Sequence, residues 1–126
     1  MALRTPIKRV VGLGSARSGV GHWWLQRLTA VAMVPLAIWF CFSVATLAGA
    51  DYEQVRVWVG RPFVAGLLIV LIGTVYLHAQ LGLQVVVEDY VHARRVQLPL
   101  LIAVKFLAIL LAVVGVLAVL RTALGG

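Results

Sequence analysis

Residues 62–87 read PFVAGLLIVLIGTVYLHAQLGLQVVV, a stretch without a single Asp, Glu, Lys or Arg. A helix needs about 20 residues to cross the hydrocarbon core of a bilayer, so this run is long enough to span it. Two further runs resemble it. Residues 28–50, LTAVAMVPLAIWFCFSVATLAGA, carry no charge, and residues 96–120, VQLPLLIAVKFLAILLAVVGVLAVL, carry only Lys105. Lipid offers the backbone no hydrogen-bond partner, so each run is expected to be a helix. The expected fold is all-α and integral to the membrane, with transmembrane helices at about 23–50, 60–91 and 96–121. They form one membrane domain over residues 1–126, behind a basic segment at 1–22. Pro35 is expected to kink the first span, while Pro62 and Pro99 stand where helices begin.

Working outward, the whole chain is 63% hydrophobic and only 12% charged, where a soluble domain carries about 25% charged residues. Mean hydropathy is +1.04. These values exclude a soluble globular enzyme and a disordered chain. The net charge of +7 is scattered over short polar stretches. It forms no continuous basic face for nucleic acid, and reads instead as orientation bias and headgroup contact. The lone Cys41 has no disulfide partner. CxxCH, CxxC and HExxH are all missing from the sequence, so covalent haem attachment and a zinc or iron–sulfur framework are not expected.

Lys and Arg outside the spans set the orientation. Arg4, Lys8, Arg9, Arg17, Arg27, Arg94 and Arg95 fall on one side; Arg56, Arg61 and Arg121 fall on the other. The richer side is expected to be cytoplasmic, with the C-terminus periplasmic in a bacterial inner membrane, or with a matrix-side N-terminus in a mitochondrion. Trp23, Trp24 and Tyr90 anchor one interface, and Tyr52 and Trp58 the other. GLGSARSGVG at 12–21 follows no strand and is read as a loop ahead of the first helix rather than a dinucleotide site.

Chemistry is sought among polar residues that a membrane helix would avoid. His78 stands deep in the second span. A neutral imidazole there is either an axial haem ligand or a hydrogen-bond partner for another helix, and the residue alone does not choose. Asp89 follows at eleven residues, hence on nearly the same helix face and about 16 Å further along. Tyr90 beside it is an interfacial anchor, or a phenol able to donate to an oxygen-bearing ligand such as a quinone carbonyl. Arg27 is a snorkelling cation or, with a haem nearby, a partner for a propionate. Lys105 snorkels or meets a charge on another subunit. Gly66, Gly73 and Gly82 are spaced for close helix contact; His22 and His92 belong near the interface. A six-coordinate haem needs two axial ligands at one depth, and the chain has one histidine there. The second ligand must come from another chain or a second copy.

Two segments, GSARSGVGHWWLQRLTAVAMVPL at 14–36 and HAQLGLQVVVEDYVH at 78–92, resemble the small hydrophobic membrane anchor (D) subunit of succinate dehydrogenase. That enzyme is the succinate:quinone oxidoreductase of the respiratory chain and tricarboxylic acid cycle. The likeness extends over nearly the whole chain and is closest to alphaproteobacterial and mitochondrial members. It implies a companion three-helix cytochrome b subunit (C), an iron–sulfur subunit (B) and a flavoprotein subunit (A) carrying FAD. It further implies one haem b shared by the two anchor subunits, with ubiquinone as the electron acceptor. By resemblance His78 is the axial ligand to haem iron and Arg27 a propionate contact. Tyr90, supported by Asp89, binds quinone. This chain alone is not expected to be catalytic. The rival readings are a homodimeric b-type cytochrome and a small proton-coupled transporter.

Overall fold

The computed structural model describes residues 14–125, so residues 1–13 of the expected basic segment lie outside the described residues. Four α-helices follow in order: α1 (Gly14–Thr46), α2 (Tyr52–Val59), α3 (Pro62–Tyr90) and α4 (Arg94–Ala123). Three are long and apolar enough to cross a membrane, over Val20–Thr46, Pro62–Tyr90 and Arg94–Ala123.

The boundaries follow local chemistry and depart from expectation in places. The first helix begins at Gly14, taking in most of the stretch read as a loop, and ends at Thr46 rather than near residue 50. Its exit turn contains Gly49 at φ +81°, a left-handed conformation that glycine adopts without steric cost. The sequence reading passed over α2. Asp51 caps it through a reciprocal box: the Gln54 amide N–H donates to Asp51 Oδ1 at 2.8 Å, and the Asp51 N–H donates to Gln54 Oε1 at 3.0 Å. Arg56 pairs with Glu53 at 2.6 Å. Chiefly through this hydrogen bond, the Glu53 carboxyl is held below its ordinary value of 4.5 and Arg56 above its own. Pro62 stands in the first turn of α3, as expected, where no amide hydrogen is required. Pro99, by contrast, lies inside α4, which starts at Arg94. The hydrogen bond it forgoes falls close to the helix end, where the cost is smallest.

α3 is the central element. It packs on both α1 and α4, whose backbones do not approach each other. The core sits at the α2 end, where Val59, Val64 and Leu68 are buried against Trp39, Val55, Trp58, Val119 and Ala123. Trp39 and Trp58 stack there at 6.0 Å and 23°. Further along, α4 lies close on α3. A Cβ at Gly115 would stand 3.2 Å from Ile72 Cγ2. Gly66 and Gly73, expected at close helix contacts, instead have nothing within 4 Å of a built Cβ. α4 has no buried residue, and large apolar side chains such as Phe42, Phe63 and Phe106 are exposed. Such a surface suits lipid and other membrane chains rather than water.

Candidate functional site

Helical periodicity brings His22, Gln26 and Thr29 to one face of α1, at positions i, i+4 and i+7. His78, Gly82 and Val85 share a face of α3 by the same rule. The two faces meet and form a groove of about 610 Å³ lined by these residues other than Thr29, together with Trp23, Arg27 and Ala30. Thr29, only 5% exposed, ties the helices together. Its Oγ1 lies 3.0 Å from His78 Nδ1.

That contact orients the imidazole ring. The Thr29 hydroxyl has one proton, and it points to the Leu25 carbonyl at 2.7 Å, with the Gln26 carbonyl at 3.1 Å. With the hydroxyl proton so placed, the oxygen is open on its other side to accept from the Nδ1-protonated tautomer of His78. A neutral imidazole carries one N–H, so Nε2 keeps its lone pair. A ring oriented through one nitrogen with the other left free is the arrangement metal-ligating histidines use. Among the described residues no three His, Cys, Asp or Glu side chains converge on one point. His78 is thus suited to supply a single donor to a metal otherwise held, not to build a multidentate site.

Two more atoms mark the groove as an incomplete surface. His22 Nε2 and Gln26 Oε1 are buried without a hydrogen-bond partner, a costly state that a bound group would relieve. Arg27 lines the same groove, with its guanidinium 5.2 Å from the Trp23 ring centroid. The fold therefore brings together His78 and Arg27, two of the four residues singled out from sequence. Asp89 and Tyr90 remain at the far end of α3, about 16–18 Å from His78 along the axis, and Tyr90 is 79% exposed. Thr29 and Gln26 were missed. Their signal was the polar stripe His22-Gln26-Thr29 on an otherwise apolar helix.

A family model described as succinate dehydrogenase/fumarate reductase transmembrane subunit matches residues 1–117. The chain belongs to this family. Among its relatives is the succinate dehydrogenase hydrophobic membrane anchor subunit of Rickettsia bellii, 38% identical over 117 residues, covering 92% of this chain and 93% of the relative. The subunit of that name from Paracoccus denitrificans is 39% identical over 88 residues, covering 68% and 67% of the two chains. The succinate dehydrogenase membrane anchor subunit of Reclinomonas americana is 31% identical over 96 residues, covering 74% and 80%. No solved structure matches. A multi-pass membrane anchor of this family explains why so much apolar surface surrounds so small a core.

Proposed function

We propose that this chain is one of two anchor subunits of a succinate:quinone oxidoreductase, and that its groove is half of a haem b site whose other half comes from a cytochrome b subunit. The observation that carries the reading is the Thr29–His78 hydrogen bond, which occupies Nδ1 and, in the Nδ1-protonated tautomer, leaves the Nε2 lone pair to a ligand in the groove that His78 lines. What haem supplies when bound is one-electron carriage at that depth. The residues present fit it. His78 Nε2 would hold the iron, Arg27 would pair with a propionate carboxylate, and the unpartnered Gln26 and His22 atoms border the same space.

Tyr90 and Asp89 serve ubiquinone. The exposed Tyr90 phenol donates a hydrogen bond to a quinone carbonyl once companion subunits cover it, and Asp89 orients that site and exchanges protons with water. Electrons come from succinate through FAD and iron–sulfur clusters in a flavoprotein and an iron–sulfur subunit. Those subunits dock on the cytoplasmic face, or the matrix face in a mitochondrion. The N-terminus lies on that face and the C-terminus opposite, which puts Arg27, Arg94 and Arg95 on the inner side.

A mild-detergent pull-down of the chain, assayed for succinate-driven reduction of a short-chain quinone, tests the reading. Co-purifying activity with stoichiometric haem is expected. A haem-bearing eluate without larger subunits would favour a homodimeric cytochrome. Transport by the purified chain, with no visible absorbance, would favour a proton-coupled transporter.

A further inference from the structure

Arg27 is the one arginine or lysine that lines the His78 groove. Among the described residues its guanidinium makes no ion pair and no hydrogen bond. What it does meet is Trp23: the guanidinium carbon lies over the indole, 5.2 Å from the ring centroid. Trp23 precedes Arg27 by four residues, one turn of α1, so the two stand on one face of the helix. Long side chains of a helix lie back over the turn before their own Cα, which for Arg27 is the turn that carries Trp23. Trp24 braces that ring in turn, meeting it edge-on at 5.1 Å and 83°. Of the two tryptophans only Trp23 lines the groove.

Stacking and hydrogen bonding use different parts of a guanidinium. The flat face carries the attraction to an aromatic ring, while the five N–H donors lie around the edge. A carboxylate of this chain in place of Trp23 would occupy some of those donors. The indole occupies none, so Arg27 is oriented with its edge still open to a carboxylate from outside the chain.

Height in the membrane matters as much as orientation. α1 enters from the arginine-rich end, and an arginine near such an end snorkels along its own helix toward water and headgroups. Trp23 stands in that path, one turn or about 6 Å nearer the helix start. Thr29, which meets the His78 ring, lies two residues the other way, about 3 Å along the axis. The ring therefore holds the guanidinium at the groove instead of releasing it to the surface.

We propose that Trp23 is a positioning residue, which keeps the Arg27 guanidinium in the His78 groove by a cation–π contact and so presents its edge donors to a propionate carboxylate. This rests on the reading above that the groove is half of a haem b site. Trp23 acts through Arg27 alone. The role differs from interfacial anchoring, which Trp24 next to it serves equally well.

The test is a double-mutant cycle at Trp23 and Arg27 in the assembled complex. Haem retention on dilution and the midpoint potential of the b-type absorbance are both read. Haem is counted per assembled complex, so failed assembly does not imitate haem loss. Trp23→Leu is expected to loosen haem by about 2–5-fold, the scale of a cation–π contact at a half-exposed ring. It should also lower the potential, because a cation withdrawn from a haem favours the more positive oxidised state. Trp23→Phe keeps an aromatic face and should stay near wild type, and Trp24→Leu should cost less than Trp23→Leu. Arg27→Gln should exceed all three, and adding Trp23→Leu to it should move neither readout further.

A second loss of full size in the Arg27→Gln background would overturn the proposal. Equal losses in Trp23→Leu and Trp24→Leu would do so too, by making both rings plain anchors. Wild-type retention and potential in Arg27→Gln would remove Arg27 from the propionate, and Trp23 with it. A wild-type complex without haem would overturn the haem reading itself, an outcome separate from the other three, and the proposal would fall with it.

Discussion

Thr29 Oγ1 and His78 Nδ1 stand 3.0 Å apart, joining two membrane helices and turning the other imidazole nitrogen, Nε2, away from the contact. Thr29→Val keeps the shape and removes the acceptor, leaving a buried N–H unmet at a cost of about 1–3 kcal/mol. Supporting partners of ligating histidines typically matter by about 10–100-fold in affinity. Haem per assembled complex, read from reduced-minus-oxidised spectra during dilution, is expected to fall accordingly in Thr29→Val and to stay near wild type in Thr29→Ser. Full retention in the valine variant would detach Thr29 from the site.

His78→Ala removes the proposed donor itself. Haem should be lost or loosely held, while membrane extraction and protease mapping show the chain still inserted, since the core at the α2 end is untouched. Unchanged haem content would exclude His78 as ligand.

Tyr90→Phe deletes one hydroxyl from an exposed ring. Quinone reduction should weaken by a hydrogen bond's worth, about 0.5–1.5 kcal/mol, while succinate oxidation by an artificial acceptor holds. Equal loss in both assays would mean damaged assembly.

At Gly115 a built Cβ meets Ile72 Cγ2 at 3.2 Å. Gly115→Val overfills this crossing and is expected to cost about 1–3 kcal/mol, seen as a lower thermal midpoint in detergent. Ile72→Ala in the same chain should recover much of the loss; failure to recover would place the damage elsewhere.

The Glu53 carboxyl is lowered by Arg56. A group depressed on folding contributes stability above its unfolded value of 4.5, and that contribution fades as pH falls through the lower folded value. Amide exchange over residues 52–59, corrected for intrinsic rates, should therefore show protection declining in acid. The difference between wild type and Glu53→Gln should vanish at the acid end; a gap that persists there would refute the linkage.

How far the molecule was legible in its sequence depended on whether a residue's meaning was local. The three spans were plain because lipid leaves helix as the only answer to a long uncharged run. His78 stood out because a polar group in such a run is costly, and Arg27 because it is the charge immediately before the first run. Thr29 did not, since threonine is common in membrane helices and its role exists only once α1 lies against α3. Of the glycines expected at helix contacts, Gly82 does meet α1, at 3.8 Å from Gln26 Nε2, but Gly66 and Gly73 misled for a related reason. Spacing shows which residues share a face, but not which face a neighbour covers, so the close approach fell at Gly115 instead of Gly66 or Gly73. The short α2 was readable after all, in Asp51 and Gln54 three residues apart.

The seating of Ile72 against Gly115 has one more consequence. Two smooth helices in lipid can slide past each other at little cost, but this notch makes a slip of one turn, about 5.4 Å, a steric clash. The α3–α4 hairpin is thereby graduated like a ruler. His78, Gln80 and Lys105 keep their heights relative to one another whatever the thickness of the surrounding membrane, so a thinner or thicker bilayer tilts or shifts the pair as a unit.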